Sequence, residues 1–97
     1  MALGGQGVIS VLSNVAPIET QAMVNAALDG DFDTASDLQI RLLPLIQALF
    51  CEVNPIPVKA AMNMMGLKAG PMRLPLCEMS AEHQAALRKT MEEAGLV

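Results

Sequence analysis

The first fifteen residues carry no helical period. Gly4, Gly5 and Gly7 disfavour a helix there. Gly7-Val8-Ile9-Ser10-Val11-Leu12 is a short run rich in β-branched side chains with little alternation. Such a run suits a strand buried on both faces of a parallel sheet. No second strand-like segment follows it, and a lone strand cannot satisfy its own backbone groups. Either this segment pairs with strands outside the sequence, or it takes another form.

After Asn14 the apolar period lengthens to about 3.6 residues. Pro17 stands where a first helical residue would, and Glu19 lies in the first turn, favourable to the helix dipole. Ile18, Ala22 and Leu28, with Val24, Ala26 and Ala27, give an apolar stripe that stops at Gly30. The spacing predicts a helix over 17–29. Asp31 or Asp33 can cap a second helix over 33–50, Asp33 being placed to accept from Ser36 or nearby amides. Its apolar positions are Ala35, Leu38, Leu42, Leu45, Ile46 and Leu49, with Asp37 and Arg41 as an i,i+4 pair on the other face. Pro44 falls inside this pattern, removes one amide donor toward Ile40 and predicts a kink.

Asn54 as cap and Pro55 as first residue start a third helix over 55–65, with Val58, Met62 and Met65 on its face and Gly66 at its end. Lys68-Ala69-Gly70-Pro71 is a loop, and Arg73-Leu74-Pro75-Leu76 is expected to be extended, because a residue before proline avoids the helical region. Ser80 caps a fourth helix over 81–94. His83 stands where a capping box would have glutamate. Ala81 or Gln84, Leu87, Met91 and Ala94 form the apolar face, and Gly95 terminates it. The expected fold is mainly α: a bundle of about four helices behind an orphan strand-like segment, without internal repeats.

Composition sharpens this. Ninety-seven residues make one small domain. Hydrophobic residues reach 53 % and charged residues only 16 %, too apolar for a disordered chain. A chain this short buries about two-thirds of its unfolded surface, so apolar surface should remain for a partner. The net charge is −4, with six basic residues mostly scattered singly, which argues against nucleic acid. The longest apolar stretch, Leu42 to Cys51, is broken by Pro44 and Gln47 and falls short of the roughly 20 residues of a membrane span. No basic segment precedes an apolar run at the N-terminus, so no secretory signal is expected. Cys51 and Cys77 lack CxxC spacing and are expected to be reduced and buried. With His83 they give three zinc-ligand candidates where about four are needed, so no metal is expected. The composition suits a reducing cytoplasm.

Candidate chemistry is sparse. Lys59, Lys68 and Lys89 could each be a Schiff-base amine, a role that needs desolvation or a neighbouring cation. Lys59, beside two prolines, is the best placed, against the alternative of a lysine whose stem covers apolar surface. Glu78, Glu82 and His83 could form an acid–base cluster or simply a solvated helix start. Met62, Met64 and Met65 could line a soft groove or fill the core. Gly4-Gly5-Gln6-Gly7 precedes the strand-like run and lacks the downstream Lys-Ser/Thr of a phosphate loop. One histidine cannot supply a nucleophile–base–orienter set.

LGGQGVISVLSNVAP (3–17), ALDGDFDTASDLQIRLLPLIQALF (27–50), NPIPVK (54–59) and RLPL (73–76) closely resemble, in order, the C-terminal third of the 4-hydroxy-tetrahydrodipicolinate synthase (dihydrodipicolinate synthase) family. The wider family of Schiff-base lyases, N-acetylneuraminate lyase included, shares parts of the pattern. The resemblance implies a parent (β/α)₈ barrel followed by a small helical domain. Residues 1–30 would be the remnant of the last βα unit, with GVISV (7–11) as the eighth strand, and residues 31–97 the helical domain. It implies condensation of pyruvate with aspartate semialdehyde through a Schiff base on a barrel lysine, in lysine biosynthesis, with no cofactor. That lysine lies on the sixth strand, and the proton relay uses tyrosines and a threonine from earlier strands. Those strands are not in this sequence, and it has no tyrosine, so no catalytic residue is expected in this chain and the chain alone is expected to be inactive. Two family positions carry over. The backbone carbonyl of Ile9, with Gly7 alongside, would line the pyruvate pocket, and Leu3 would lie at the weaker subunit interface. The implied partners are the missing barrel portion or a second copy, with a small-molecule substrate only in the full-length parent. The rival reading is a stand-alone helical oligomerisation or interaction module.

Overall fold

Three glycines divide the chain into its helices. A computed structural model describes all 97 residues. It contains α1 (Pro17–Leu28), α2 (Phe32–Leu49), α3 (Ile56–Met64) and α4 (Ala81–Glu93), preceded by a single 3₁₀ turn at Leu12–Asn14. α1, α3 and α4 stop in the same way. Gly30, Gly66 and Gly95 adopt φ of +79°, +79° and +72°, the left-handed conformation glycine accepts most readily. Their amides reach back to Ala27, Asn63 and Glu92, while the amides one residue on reach Ala26, Met62 and Met91. This is the paired bonding of a Schellman stop. The mainly helical, four-helix expectation holds, with each helix boundary within one residue of its expected place.

The starts differ more. Pro17 is the first residue of α1 as expected. Asp31, not Asp33, caps α2, accepting from the Thr34 amide at 3.1 Å. Asn54 caps nothing: the chain turns over Val53–Ile56, with the Ile56 amide on Val53 O at 2.9 Å, and Pro55 falls just outside α3. Arg73–Leu76 is a turn and not extended, closed by the Leu76 amide on Arg73 O at 2.9 Å, with the Leu74–Pro75 peptide cis. α2 continues as helix through Pro44. The Asp37–Arg41 pair does not form: the only ion pair in the molecule is elsewhere, as expected where an exposed pair gains little against its side-chain entropy.

α2 is the spine of the bundle. Its Leu42, Leu45 and Leu49 pack with Ile56, Val58 and Ala61 from α3, and with Leu87 and Met91 from α4. Leu12, Val15, Ala16 and Met79 complete this core. Met62, Met64 and Met65 pack half-buried against it, so they fill irregular core edges instead of lining a groove. α1 behaves otherwise. Of the expected stripe, Ile18, Ala22 and Leu28 are exposed while Val24, Ala26 and Ala27 are half-buried; the one residue α1 fully buries is Thr20, whose hydroxyl donates to Ala16 O at 2.8 Å.

The outcome is a molecule with unused apolar surface. Only 15 of 97 residues are buried. The accessible surface is 6251 Å², against about 5,350 Å² for a compact monomer of 10.3 kDa. The radius of gyration is 14.3 Å, against about 12.5 Å for a compact domain of this length. Part of the exposed apolar surface lies along α1, the outer side of α2 and the N-terminal segment, at Leu3, Val8, Ile9, Ile18, Phe32 and Ile40, and part on the connections, at Val53, Leu67 and Leu74.

Candidate functional site

Titratable side chains converge at one place. α4 opens on Ser80, whose hydroxyl accepts from the His83 amide at 3.3 Å. Glu52, on the connection between α2 and α3, reaches this helix end. Its Oε2 accepts from the Ser80 amide at 3.1 Å, from the Ser80 hydroxyl at 3.2 Å and from His83 Nδ1 at 2.8 Å. Nδ1 carries the proton in this arrangement, because a carboxylate can only accept. The His83 hydrogen bond foremost, helped by the two from Ser80, holds the Glu52 carboxyl below its ordinary range.

Serine, histidine and glutamate in contact suggest a nucleophile relay, but the bonding excludes one here. A relay needs the serine proton directed at the imidazole, with the carboxylate on the ring's other nitrogen. Here the Ser80 hydroxyl and His83 Nδ1 both donate to the same carboxylate oxygen. The group finishes a helix end; it does not activate an oxygen. Of the two readings of Glu78, Glu82 and His83, the acid–base cluster does not assemble: Glu78 Oε1 accepts from the Met72 amide at 3.4 Å, and His83 pairs with Glu52 alone. Glu52 was missed by sequence reasoning because its partners lie 28 and 31 positions away. The one signal was histidine in the third position of a serine-capped helix.

Lys59 is engaged structurally. Its Nζ donates to Pro71 O at 2.6 Å. One turn on, Asn63 Nδ2 donates to Gly70 O at 3.0 Å and its Oδ1 accepts from the Gly70 amide at 3.2 Å. Together they tie the loop after α3 back onto the helix. Lys68 and Lys89 are exposed. The cysteines are free but both exposed, correcting their expected burial: each falls in a connection, outside the helical apolar faces. Desolvation and the neighbouring Glu52 charge push the Cys51 thiol up, away from a reactive thiolate. No group of three or more His, Cys, Asp or Glu side chains is arranged to hold a metal ion. No helix is long and apolar enough to cross a membrane.

The strand-like segment is where backbone groups stand unpaired. It is not a strand: Ser10 Oγ accepts from the Ser13 amide at 3.0 Å, and the Ser13 hydroxyl donates to Ser10 O at 2.9 Å. These bonds turn its end into the 3₁₀ turn at Leu12. From Gly5 to Ile9 no backbone group bonds to the protein in either direction. Gly7 has open space around it, and Leu3 and Ile9 are fully exposed. Val8, Met1, Met23, Val24, Ala27 and Phe32 help line an apolar hollow of about 370 Å³ beside α1 and α2. The structure thus leaves Leu3, Gly7 and Ile9 on one open segment and brings no pocket of its own around them.

Comparison with known proteins gives this a context. The sequence profile of the Dihydrodipicolinate synthetase family matches residues 1–94. The chain is 55 % identical over 97 residues to the 4-hydroxy-tetrahydrodipicolinate synthase of Methanocaldococcus jannaschii, covering all of this chain and 34 % of that protein. A crystal structure of a dihydrodipicolinate synthase superposes with a TM-score of 0.95 at 55 % identity, over 99 % of this chain and 33 % of that one. The Thermotoga maritima dihydrodipicolinate synthase superposes with a TM-score of 0.95 at 43 % identity, over 99 % and 32 %. The chain spans about a third of the length of the relatives it matches.

Proposed function

Since the chain belongs to the Dihydrodipicolinate synthetase family, we propose that it supplies the C-terminal third of a pyruvate-dependent Schiff-base lyase that condenses pyruvate with aspartate semialdehyde in lysine biosynthesis. In this reading residues 1–30 are the last βα unit of a (β/α)₈ barrel and residues 31–97 its helical domain. The remaining strands are joined to the chain or brought by a second one, and the assembled enzyme works in the cytoplasm.

The observation that carries this reading is the open run from Gly5 to Ile9. It holds β-branched residues and unpaired backbone groups, the requirement of a strand with a neighbour on each side. Superposition over 99 % of the chain on an enzyme about three times as long supports this reading. The exposed apolar positions of α1 fit the same account, because a barrel helix must cover its sheet and its neighbours. Docking a barrel portion would give the excess surface something to bury.

The chain's own residues then have modest roles. The Ile9 carbonyl, with Gly7 alongside, lines the pyruvate pocket: a glycine lets the backbone come close to a small substrate. Leu3 contributes to the weaker subunit interface. The Schiff-base lysine comes from the barrel portion. Lys59 is committed to Pro71 O, and the chain alone forms no adduct.

The test is reconstitution. The chain is mixed with the first two-thirds of the Methanocaldococcus jannaschii enzyme, and each part and the mixture are treated with pyruvate and borohydride. The expected result is a stable pyruvate adduct only in the mixture, on the barrel portion, with the two parts co-eluting. An adduct on any lysine of the chain alone, or a dye-silent monomer that ignores the barrel portion, overturns the reading. The second outcome leaves a stand-alone interaction module.

A further inference from the structure

The start of α4 is closed by a residue that does not belong to α4. In a capping box, a glutamate three residues after the cap bonds back to the cap's own amide. His83 occupies that position and cannot do so. The Ser80 amide instead donates to Glu52 Oε2 at 3.1 Å, and His83 Nδ1 holds the same oxygen at 2.8 Å. The missing carboxylate is thus supplied from the α2–α3 connection, and the histidine that replaced it serves as its anchor.

What this contact fastens is one cover of the core. Met79, just before Ser80, is buried, and Leu87 and Met91 on α4 are fully buried against α2 and α3. Gln84 Nε2 also donates to Met79 O at 2.7 Å, so Met79 and the first turn of α4 move as one unit. Apart from Glu52, the first turn of α4 makes no side-chain hydrogen bond to any other helix or connection except through this Met79 link. We propose that Glu52, Ser80 and His83 form an acid-released latch that pins the start of α4 to the α2–α3 connection. Neutralising Glu52 frees the first turn of α4 and uncovers the Met79 side of the core while α1 and α2 stay folded.

The groups facing Glu52 are few. From α4 it meets His83, its only ion-pair partner. On its own connection the Cys51 thiol feels its charge. Glu78 is turned to the Met72 amide and Lys59 to Pro71 O. The sign follows from the hydrogen bonds: all three donors favour the ionised carboxylate, so its folded value lies below the ordinary one. The latch is closed above the ordinary carboxylate range and opens as pH falls through the lowered value.

Amide hydrogen exchange on the 97-residue chain, expressed as protection factors against pH, reads the latch. The expected result is a fall of about five- to tenfold, the scale of a lost cap, for the amides of Ser80, His83 and Gln84 as Glu52 is protonated, with α2 amides unchanged. Glu52→Gln keeps an acceptor oxygen but cannot titrate, so the step disappears. Glu52→Ala leaves the first turn weakly protected at every pH. A step that persists in Glu52→Gln, its absence from the parent chain, or loss of α2 protection together with α4 overturns the proposal. If Glu52→Ala fails to fold, the Glu52→Gln comparison decides alone.

Discussion

Lys59 Nζ holds the carbonyl of Pro71, twelve residues further along, at 2.6 Å. With Asn63 clasping both polar groups of Gly70 one helical turn later, it forms a two-point clamp between α3 and the loop that follows. This gives NPIPVK a structural reason: two prolines set the start of α3, and the lysine at its end fixes where the chain goes after the helix.

Removing either half of the clamp should therefore loosen the loop without touching chemistry. Lys59→Met and Asn63→Ala are each expected to destabilise the chain by about 0.5–1.5 kcal/mol, the net contribution of a hydrogen bond. Urea denaturation measures this. Reconstituted Lys59→Met is expected to form the pyruvate adduct at the parent yield; loss of the adduct with retained folding would make Lys59 the reacting amine.

Leucines on α2 should separate sharply by position. Leu45 is buried within the core and Leu43, two residues earlier, is exposed. Leu45→Ala is expected to cost about 2–5 kcal/mol through lost burial and a residual cavity, enough to unfold much of a domain this small. Leu43→Ala is expected to change the isolated chain by about 0.5 kcal/mol or less. Equal effects in urea unfolding would mean that α2 does not form the spine of the bundle.

The helices were legible in the sequence because their stops are local. A glycine at Gly30, Gly66 or Gly95 ends a helix through bonds within six residues, and period-3.6 patterning marks α2, α3 and α4. Two kinds of feature were not legible. Contacts across long separations, such as Glu52 with Ser80, leave no local trace. And α1 carries apolar residues all round, so its pattern gave no direction; Ile18, Ala22 and Leu28 face outward while Val24, Ala26 and Ala27 are half-buried. The run from Gly7 to Leu12 was readable as a misfit in this chain, since its composition asks for neighbours the sequence lacks. Its final form was not, because the turn that ends it is closed by the Ser10 and Ser13 side chains and leaves no mark in the apolar pattern.

Asp31 gives a second acid-sensitive point, at the other end of the bundle. The Thr34 hydroxyl nearby and the Thr34 amide, which donates to Asp31 at 3.1 Å, hold its carboxyl below the ordinary value of 3.8. Its contribution is present above that ordinary value and is lost as pH falls through the lowered one. Asn caps helices about as well as Asp but does not titrate. Asp31→Asn is expected to keep Tm near that of the parent at neutral pH and to flatten its decline in acid. An unchanged acid decline would remove Asp31 from the account.

Leu3 should matter only in the assembled enzyme. It is fully exposed here, so Leu3→Asp is expected to leave the chain's own melting curve unchanged. Placed at a subunit interface, a buried and unpaired carboxylate is strongly unfavourable. Light scattering on the reconstituted enzyme is then expected to show a smaller assembly for Leu3→Asp, with the pyruvate adduct still forming. An assembly of unchanged size would place the interface elsewhere.

Ile9→Pro tests the strand assignment directly. Proline deletes one amide donor and is confined to edges, first residues or bulges of sheets. In the isolated chain the Ile9 amide bonds to nothing in the protein and its side chain touches no core, so the substitution should change stability by about 0.5 kcal/mol or less. Between two barrel strands the same change removes a ladder bond from a central strand. It also displaces the carbonyl assigned to the pyruvate pocket. Binding of the barrel portion is therefore expected to weaken at least about tenfold, the equivalent of about 1.4 kcal/mol, one buried donor or acceptor left unmatched. Ile9→Val, which keeps both the amide and a β-branched side chain, should bind nearly as the parent does. If Ile9→Pro reconstitutes as well as Ile9→Val, the segment is not a central strand in the assembled enzyme, and the reason for its unpaired backbone must be sought in another partner.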